Sequence, residues 1–163
     1  MKSTKETVLK ILSDVHDPEI PVLNIVEMGI VRNVECDGES VRVDITPTYS
    51  GCPAMKLIQD DIIAALQSNG YSSVEVNTVH TAPWTTEWIG DGARENLRRY
   101  GVAPPLSKST ATASIFAMQK QEVACPRCGS METELKSEFS STACKALYQC
   151  KNCKEPFEYF KKI

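Results

Sequence analysis

Two cysteine motifs, Cys125-Pro-Arg-Cys128 and Cys150-Lys-Asn-Cys153, decide the fold of the C-terminal segment of this chain of 163 residues. Each pair can place two sulfurs on one side of a metal ion, and the 21 residues between the pairs bring the second pair round to complete a tetrahedron. The spacing therefore predicts one structural zinc ion per chain, with Cys125, Cys128, Cys150 and Cys153 as its ligands. Iron in a rubredoxin-like site is the alternative metal, and a disulfide-bonded set is the alternative without a metal.

The residues around these motifs predict how the chain divides. Residues 121–163 are too few for a large apolar core, so metal binding is expected to supply much of their folding free energy. Pro104-Pro105 and the small polar residues that follow predict a linker over 104–120. We therefore expect a domain over 1–103, this linker, and a β-rich zinc ribbon over 121–163.

Residues 1–80 alternate between helical and strand patterns. Ser3 and Glu6 form a capping box at the start of a first helix, and Asp37-Gly38 is the turn of a strand pair. A second helix and a third strand follow. The order helix, strand, strand, helix, strand predicts a small two-layer α+β domain with its helices on one face.

The second helix is predicted to begin at Pro53 and to bury a face that includes Leu57 and Ile58. Beyond the third strand, Thr85–Tyr100 is predicted to form a further helix that ends at Gly101. This helix would extend the N-terminal domain up to residue 103.

The composition is that of a globular protein, with 42% apolar and 24% charged residues. Residues 1–104 carry 9 basic and 15 acidic side chains, and residues 121–163 carry 7 and 6, so a basic nucleic-acid footprint is not expected. The sequence contains neither a signal-peptide core nor an apolar stretch of about 20 residues, which predicts no membrane association. Cysteines spaced as metal ligands fit a reducing cytoplasm.

Cys52 lies in the loop Thr46-Pro-Thr-Tyr-Ser-Gly-Cys-Pro53, which leads into the second helix. A helix N-terminus favours an anion, so this position predicts a thiol with a lowered pKa. Such a cysteine can be a ligand of a soft metal or iron–sulfur cluster, or it can be a nucleophile. Chain order places neither His16 nor His80 beside it as a base, so the nucleophile is the weaker hypothesis. A small buried residue that closes the loop is the structural alternative.

Asp17-Pro18-Glu19 offers two carboxylates in a rigid turn. The turn either ends the first helix with solvated acids, or it packs beside the Cys52 loop and supplies an acidic side chain to the same site. Cys144 stands outside both cysteine motifs. It can be a replacement ligand, a redox-active neighbour of the metal or a packed strand residue.

Three segments, Asp17-Pro-Glu-Ile-Pro21, Met28-Gly-Ile-Val31 and Thr46–Pro53, together resemble the iron–sulfur-assembly domain family that includes SufT-like proteins. In that family the cysteine of the Cys-Pro loop is the functional residue. The resemblance therefore implies that Cys52 is a ligand of a transient iron–sulfur cluster. The family's acidic turn is matched by Asp17 and Glu19, which become further candidates for the same site.

Ala82-Pro-Trp-Thr-Thr-Glu-Trp-Ile89, Leu97–Pro105 and Ser141–Cys150 extend the resemblance to the PaaD (PaaJ) family. Members of this family are the small subunits encoded with the bacterial phenylacetyl-CoA epoxidase, a multicomponent monooxygenase. The resemblance implies a part in aerobic phenylacetate catabolism, with the di-iron oxygenase and the iron–sulfur reductase as partners. The chain has neither Glu-x-x-His pairs nor the cysteine spacing of a plant-type ferredoxin, so the oxidation chemistry is expected on those partners.

These features give a leading hypothesis and two rivals. The chain is predicted to be an accessory protein, not catalytic by itself, that helps to assemble the iron–sulfur or iron centre of its partners, with the ribbon as a docking module. One rival makes it a stable structural subunit that the epoxidase needs during turnover. The other, a nucleic-acid-binding zinc ribbon, is disfavoured by charge. The sequence leaves a homodimer open.

Overall fold

A computed structural model describes residues 4–106 and 123–163 and divides the chain into two compact units, Met1–Ala93 and Arg94–Ile163. The boundary therefore falls at residue 93, earlier than the predicted boundary at 103. Most of the predicted linker over 104–120 lies outside the described residues. Each unit is described below by itself.

The first unit contains two helices and a sheet of three strands, which are α1 (Lys5–Leu12), β1 (Val31–Asp37), β2 (Ser40–Ile45), α2 (Ala54–Ser68) and β3 (Ser73–Thr78). The strand order is β1-β2-β3, with β1 antiparallel and β3 parallel to β2. The parallel pairing requires a crossover, which α2 provides. Helix α1 packs against α2 and β1, and α2 packs against β3. The predicted two-layer α+β architecture is thus confirmed.

The apolar stripe of α2 is narrower than predicted. Ala54, Ile58, Ile62 and Leu66 repeat at every fourth position and are buried, whereas Leu57 is 55% exposed. The prediction that Leu57 is buried was therefore wrong, because Leu57 lies outside the narrow face of α2 that packs against β3 and α1. Helix α1 also differs at its start, since its N-cap is Thr4, whose side chain accepts a hydrogen bond from the Thr7 N–H.

The predicted helix over Thr85–Tyr100 forms in two pieces. A 3-10 turn spans Thr86–Trp88, and helix α3 spans Asp91–Tyr100. Between them, Ile89 is extended at φ −74 and ψ 118, which breaks the helical geometry. The sequence pattern was therefore right about helical structure but missed the break.

The residues before α3 clamp the loop that precedes β1. The indole N–H of Trp84 donates to the Met28 carbonyl at 2.8 Å. A Cβ atom on Gly29, which has φ +71, would lie 2.8 Å from Trp88 Cβ, so only glycine fits against this side chain. The Arg32 guanidinium lies 3.7 Å from the Trp88 ring centroid, which is a cation–π contact. Both tryptophans therefore have packing roles.

The second unit contains a four-stranded sheet in the order β4-β7-β6-β5, with β4 (Val102–Ala103), β5 (Thr133–Ser137), β6 (Lys145–Cys150) and β7 (Pro156–Phe160). Strand β4 runs parallel to β7, and the other neighbours are antiparallel. The small core is formed by Ala103, Val123, Cys125, Ala146, Tyr148, Cys150, Phe157 and Tyr159. Since β4 supplies Ala103 to this core, residues after 93 belong with the ribbon.

In the described part of the chain, no helix has the length and apolar character needed to cross a bilayer.

Candidate functional site

The structure brings the four predicted zinc ligands together. The sulfurs of Cys125, Cys128, Cys150 and Cys153 all lie within 4.8 Å of one another. The Cys125–Cys153 and Cys128–Cys150 sulfur pairs are 3.8 Å and 3.6 Å apart. Tetrahedral zinc with Zn–S bonds of about 2.3 Å requires sulfurs about 3.8 Å apart. The donor set and its spacing therefore fit a four-thiolate metal site.

Backbone groups of both knuckles support these sulfurs. Gly129 has φ +74, and its N–H donates to the Cys125 carbonyl at 2.9 Å, which closes the first knuckle. In the second knuckle the Cys153 N–H points at the Cys150 sulfur at 3.5 Å. The Cys153 N–H can stabilise the Cys150 thiolate and orient it toward a metal, whereas the Gly129 N–H only closes the backbone turn.

The pKa values of two of the four thiols are shifted in opposite directions. The Ser130 N–H, partly opposed by desolvation, lowers the pKa of Cys128 to about 6. For Cys153, the Glu155 N–H lowers the pKa, but desolvation and the neighbouring cysteines outweigh it and raise the pKa to about 12. A metal ion that binds all four sulfurs must therefore displace protons from some of them.

Cys52 lies immediately before α2, whose N-cap is Pro53, as the sequence predicted. Its side chain is half-buried. The Ala54 N–H at the helix start and the Thr48 side chain both lie near enough to act on the sulfur and lower its pKa. The Cys52 N–H donates to the Tyr49 carbonyl at 3.2 Å, which fixes the tight turn of the loop.

The Asp17-Pro18-Glu19 turn lies close enough to Cys52 for both carboxylates to act on its thiol. Asp17 is only 5% exposed, and its Oδ1 accepts hydrogen bonds from the backbone N–H groups of Glu19 at 2.7 Å and Ile20 at 3.0 Å. Asp17 thus fixes the turn, while the half-buried Glu19 extends from it. Of the two interpretations of this turn, the burial of Asp17 argues against solvated acids, and the effect of both carboxylates on Cys52 favours a position near the Cys52 loop.

The pKa of Cys52 is raised, not lowered. Desolvation by burial is the largest cause, and the negative charges of Glu19 and Asp17 add to it. The Ala54 N–H and Thr48 oppose this shift without reversing it. The predicted lowering of the Cys52 pKa was therefore wrong in direction, because the helix effect was weighed without the burial of the thiol and without the two carboxylates.

The remaining cysteines lie apart from the four-cysteine cluster. Cys144 is buried, and its sulfur is 3.0 Å from the Thr142 hydroxyl. Cys36 is half-buried on β1. The structure therefore favours a packed residue among the three alternatives for Cys144, although it lies in the turn just before β6 and not in a strand.

Sequence reasoning missed a buried ion pair in the ribbon. Lys145 Nζ lies 2.8 Å from Glu158 Oε2, and the Lys145 side chain is only 6% exposed. Burial alone would raise the pKa of Glu158, but hydrogen bonds from Lys145, Ser140 and Ser141 outweigh it and lower the pKa to about 2. The one available signal was a lysine directly before the mostly apolar stretch Ala146-Leu-Tyr148, where a buried charge needs a partner.

Two family models cover most of the chain. The model described as "Iron-sulfur cluster assembly protein" matches residues 5–78, which contain Asp17, Glu19 and Cys52. The model described as "PaaD zinc beta ribbon domain" matches residues 107–161, which contain the four clustered cysteines.

One named relative aligns with nearly the whole chain, and other similar proteins align with only part of it. The chain is 50% identical, over 94% of its own length and 90% of the relative, to an Escherichia coli (strain K12) protein named as a putative 1,2-phenylacetyl-CoA epoxidase subunit. It is 30% identical to a Porphyromonas gingivalis protein named "Fe-S protein maturation auxiliary factor", covering 58% of this chain and 90% of that one. A crystal structure of a domain of unknown function, DUF59, from Bacillus anthracis is 30% identical with a TM-score of 0.54, covering 57% of this chain and 90% of that chain. The chain therefore belongs to the PaaD family, and it joins an iron–sulfur cluster assembly domain to a PaaD zinc β-ribbon.

Proposed function

We propose that this protein is an accessory component of a phenylacetyl-CoA epoxidase that helps to assemble the iron–sulfur or iron centre of the oxygenase and reductase partners. The observation that carries the proposal is the position of Cys52 in the segment that matches iron–sulfur cluster assembly proteins, with Asp17 and Glu19 near enough for their charges to raise the pKa of its thiol. The epoxidase context is supported by the 50% identity to the E. coli protein that is named as an epoxidase subunit.

Cys52 is proposed to be a transient ligand of the iron or cluster that is delivered. Its sulfur supplies a soft donor, and Glu19 or Asp17 supplies a hard oxygen donor nearby, a mixture that suits iron. Because the pKa of Cys52 is raised, iron must displace a proton, and that proton competes for the sulfur afterwards. Weak, reversible binding of this kind suits a site that transfers iron or a cluster to another protein.

The ribbon is proposed to hold one structural zinc ion and to act as a docking module. The sulfur spacing fits zinc, and the ribbon segment matches the PaaD zinc ribbon model. Metal analysis of protein purified without added metal, together with its visible spectrum, tests this. Colourless protein with one zinc per chain is expected, whereas red or brown protein would indicate iron in the ribbon or at Cys52.

The assembly role is tested by the cluster content of the reductase partner in cells that carry wild-type or Cys52→Ala protein. We expect the variant to lower cluster occupancy. Cys36→Ala is the matched control, because Cys36 is also half-buried in the first unit but lies on β1. Equal occupancy with wild-type and Cys52→Ala protein would exclude the assembly role.

A stable structural subunit is the second candidate function. It is favoured by one observation, that the E. coli relative, which aligns over 94% of this chain, is named as a subunit of the epoxidase. The two functions separate when purified protein is added to fully matured oxygenase and reductase. An increased turnover rate supports a subunit, and an unchanged rate supports a maturation factor.

A further inference from the structure

The loop between β5 and β6 presents one exposed aromatic side chain. It lies at the end of β6 that carries Lys145, opposite the end that carries Cys150. Phe139 in this loop is 63% exposed, more than any other large apolar side chain in the described parts of the chain. A phenylalanine in water costs free energy unless a partner covers it.

Phe139 is held in place by its own loop. The Ser137 hydroxyl accepts a hydrogen bond from the Phe139 N–H at 3.2 Å and donates one to the Phe139 carbonyl at 2.6 Å. The next two residues are anchored to the sheet, since the Ser140 and Ser141 hydroxyls donate to Glu158 Oε1 at 2.5 Å and 2.8 Å. The loop is therefore already ordered in the free protein. A partner that binds Phe139 does not lose free energy in ordering this loop, and such preorganisation increases affinity.

Positive charge borders the exposed ring. Lys161 Nζ lies 4.4 Å from the Phe139 ring centroid and donates to the Glu138 carbonyl at 3.0 Å. Residues 94–163 as a whole carry 12 basic and 7 acidic side chains, against 6 and 14 in residues 1–93. An apolar centre with a basic border is complementary to an apolar pocket bordered by carboxylates.

From these contacts we infer that Phe139 is the central contact of a docking surface, formed with Lys161, that inserts into an apolar, acid-bordered pocket on a protein subunit of the epoxidase. The inference deepens the docking role proposed above for the ribbon and rests on it. It names the end of the ribbon away from the metal as the binding end, so the zinc site acts as scaffold only.

A protein partner fits this surface better than a nucleic acid. Base stacking needs an open aromatic face, and one face of Phe139 is already covered by Lys161.

The test is a binding titration of the full-length protein against purified oxygenase and reductase components. Phe139→Ala is expected to raise the Kd by about tenfold or more, as is typical when a central aromatic contact is removed. Lys161→Glu is expected to raise the Kd several-fold at low salt and by less at high salt. Met131→Ala is the matched control, because Met131 is 50% exposed in the same unit and is expected to leave Kd unchanged.

Each outcome decides the inference. Wild-type affinity for Phe139→Ala, an equal loss for Met131→Ala, or no binding of the wild-type chain to any component would overturn it. So would single-stranded DNA or RNA binding that depends on Phe139. Zinc content reports whether each variant is folded. The assembly role is judged separately, since Cys52→Ala is expected to keep wild-type Kd while cluster delivery falls, so either proposal can fail without the other.

Discussion

The two cysteine sites of this protein are held by different means. In the ribbon, four sulfurs face one another, and two of their cysteines belong to the small core itself. Cys52 instead stands at a helix start beside carboxylates, in a unit whose core is built from ordinary aliphatic side chains. We therefore expect the first site to help keep its unit folded, and the second to lie outside the core that stabilises its unit.

This difference indicates which of the two sites can bind and release a metal or cluster without unfolding. A metal that supplies folding free energy cannot be given away without unfolding its ligands. A single thiol on a scaffold stabilised by apolar burial can bind and release a cargo while its loop keeps its shape. If Cys52 is the transient ligand proposed above, the number of cysteines at a site is a poor guide to its functional role in this chain.

The largest expected effect comes from removing the ribbon metal. Cys150→Ser, or a strong chelator, should unfold the ribbon, because structural zinc contributes about 10 kcal/mol or more to such small domains. Hydrogen exchange measured by mass spectrometry should show loss of protection in β5–β7 and continued protection in α2. Loss of protection in both units at once would contradict the independence of the two sites. Cys36→Ser is the control and should change neither unit.

The second prediction concerns the clamp on the first unit. Gly29→Ala should lower the free energy of unfolding by about 2–4 kcal/mol, because the added Cβ meets Trp88 and the backbone has positive φ. Urea unfolding followed by tryptophan fluorescence measures this. Gly38→Ala is the matched control, since Gly38 has φ +60 with nothing within 4 Å, and it should cost only about 1 kcal/mol. Zinc content should stay constant in both variants.

A third prediction addresses the charge network under the Phe139 loop. Glu158 has a pKa of about 2 in the folded chain, below its ordinary value, so its stabilisation is present above about pH 4.5 and is lost as the pH falls toward 2. Glu158→Gln should therefore lower ribbon stability at pH 7 by about 2 kcal/mol, and the cost should be the same at pH 6. Thermal unfolding of both chains at the two pH values checks this. Glu155→Gln, an exposed change in the same unit, should cost far less.

The smallest expected effect is on the reactivity of Cys52. Because its pKa is raised by burial and by Glu19 and Asp17, alkylation at pH 7 should be slow, and Glu19→Gln should accelerate it several-fold. Rates for this cysteine can be followed by mass spectrometry of the labelled peptide across a pH series. Glu27→Gln changes an exposed carboxylate elsewhere and should leave the rate unchanged. A faster rate with both variants would show that overall charge, not the local carboxylate, sets the pKa.

Local patterns sufficed for the elements of this fold and for the ribbon. Helical and strand periodicity predicted the order of the first unit, and cysteine spacing predicted the cluster. The patterns failed where contacts between distant residues decide. The burial of Ala103 depends on parallel pairing of β4 with β7, which is the last strand of the chain. No local signal encodes such a pairing.

The same limit applies to the candidate site. The position of Cys52 before a helix was visible in the sequence, and the helix end predicted a low pKa. The opposing charges come from a turn that precedes β1 and β2 in the sequence, and their effect depends on distance and burial. The exposure of Leu57 likewise depends on which elements pack against α2, which a helical period does not reveal.

The pairing of β4 with β7 also means that these first and last strands of the ribbon sheet do not depend on the chain between them to stay together. Val102 and Ala103 pair with Glu158 and Tyr159, although β5 and β6 both lie between these two pairs in the sequence. A protein nicked by an engineered protease site between residues 106 and 123 should therefore stay together as one particle on a sizing column. The two pieces could then be expressed separately and mixed, so that a labelled ribbon is attached to an unlabelled assembly domain without chemical ligation.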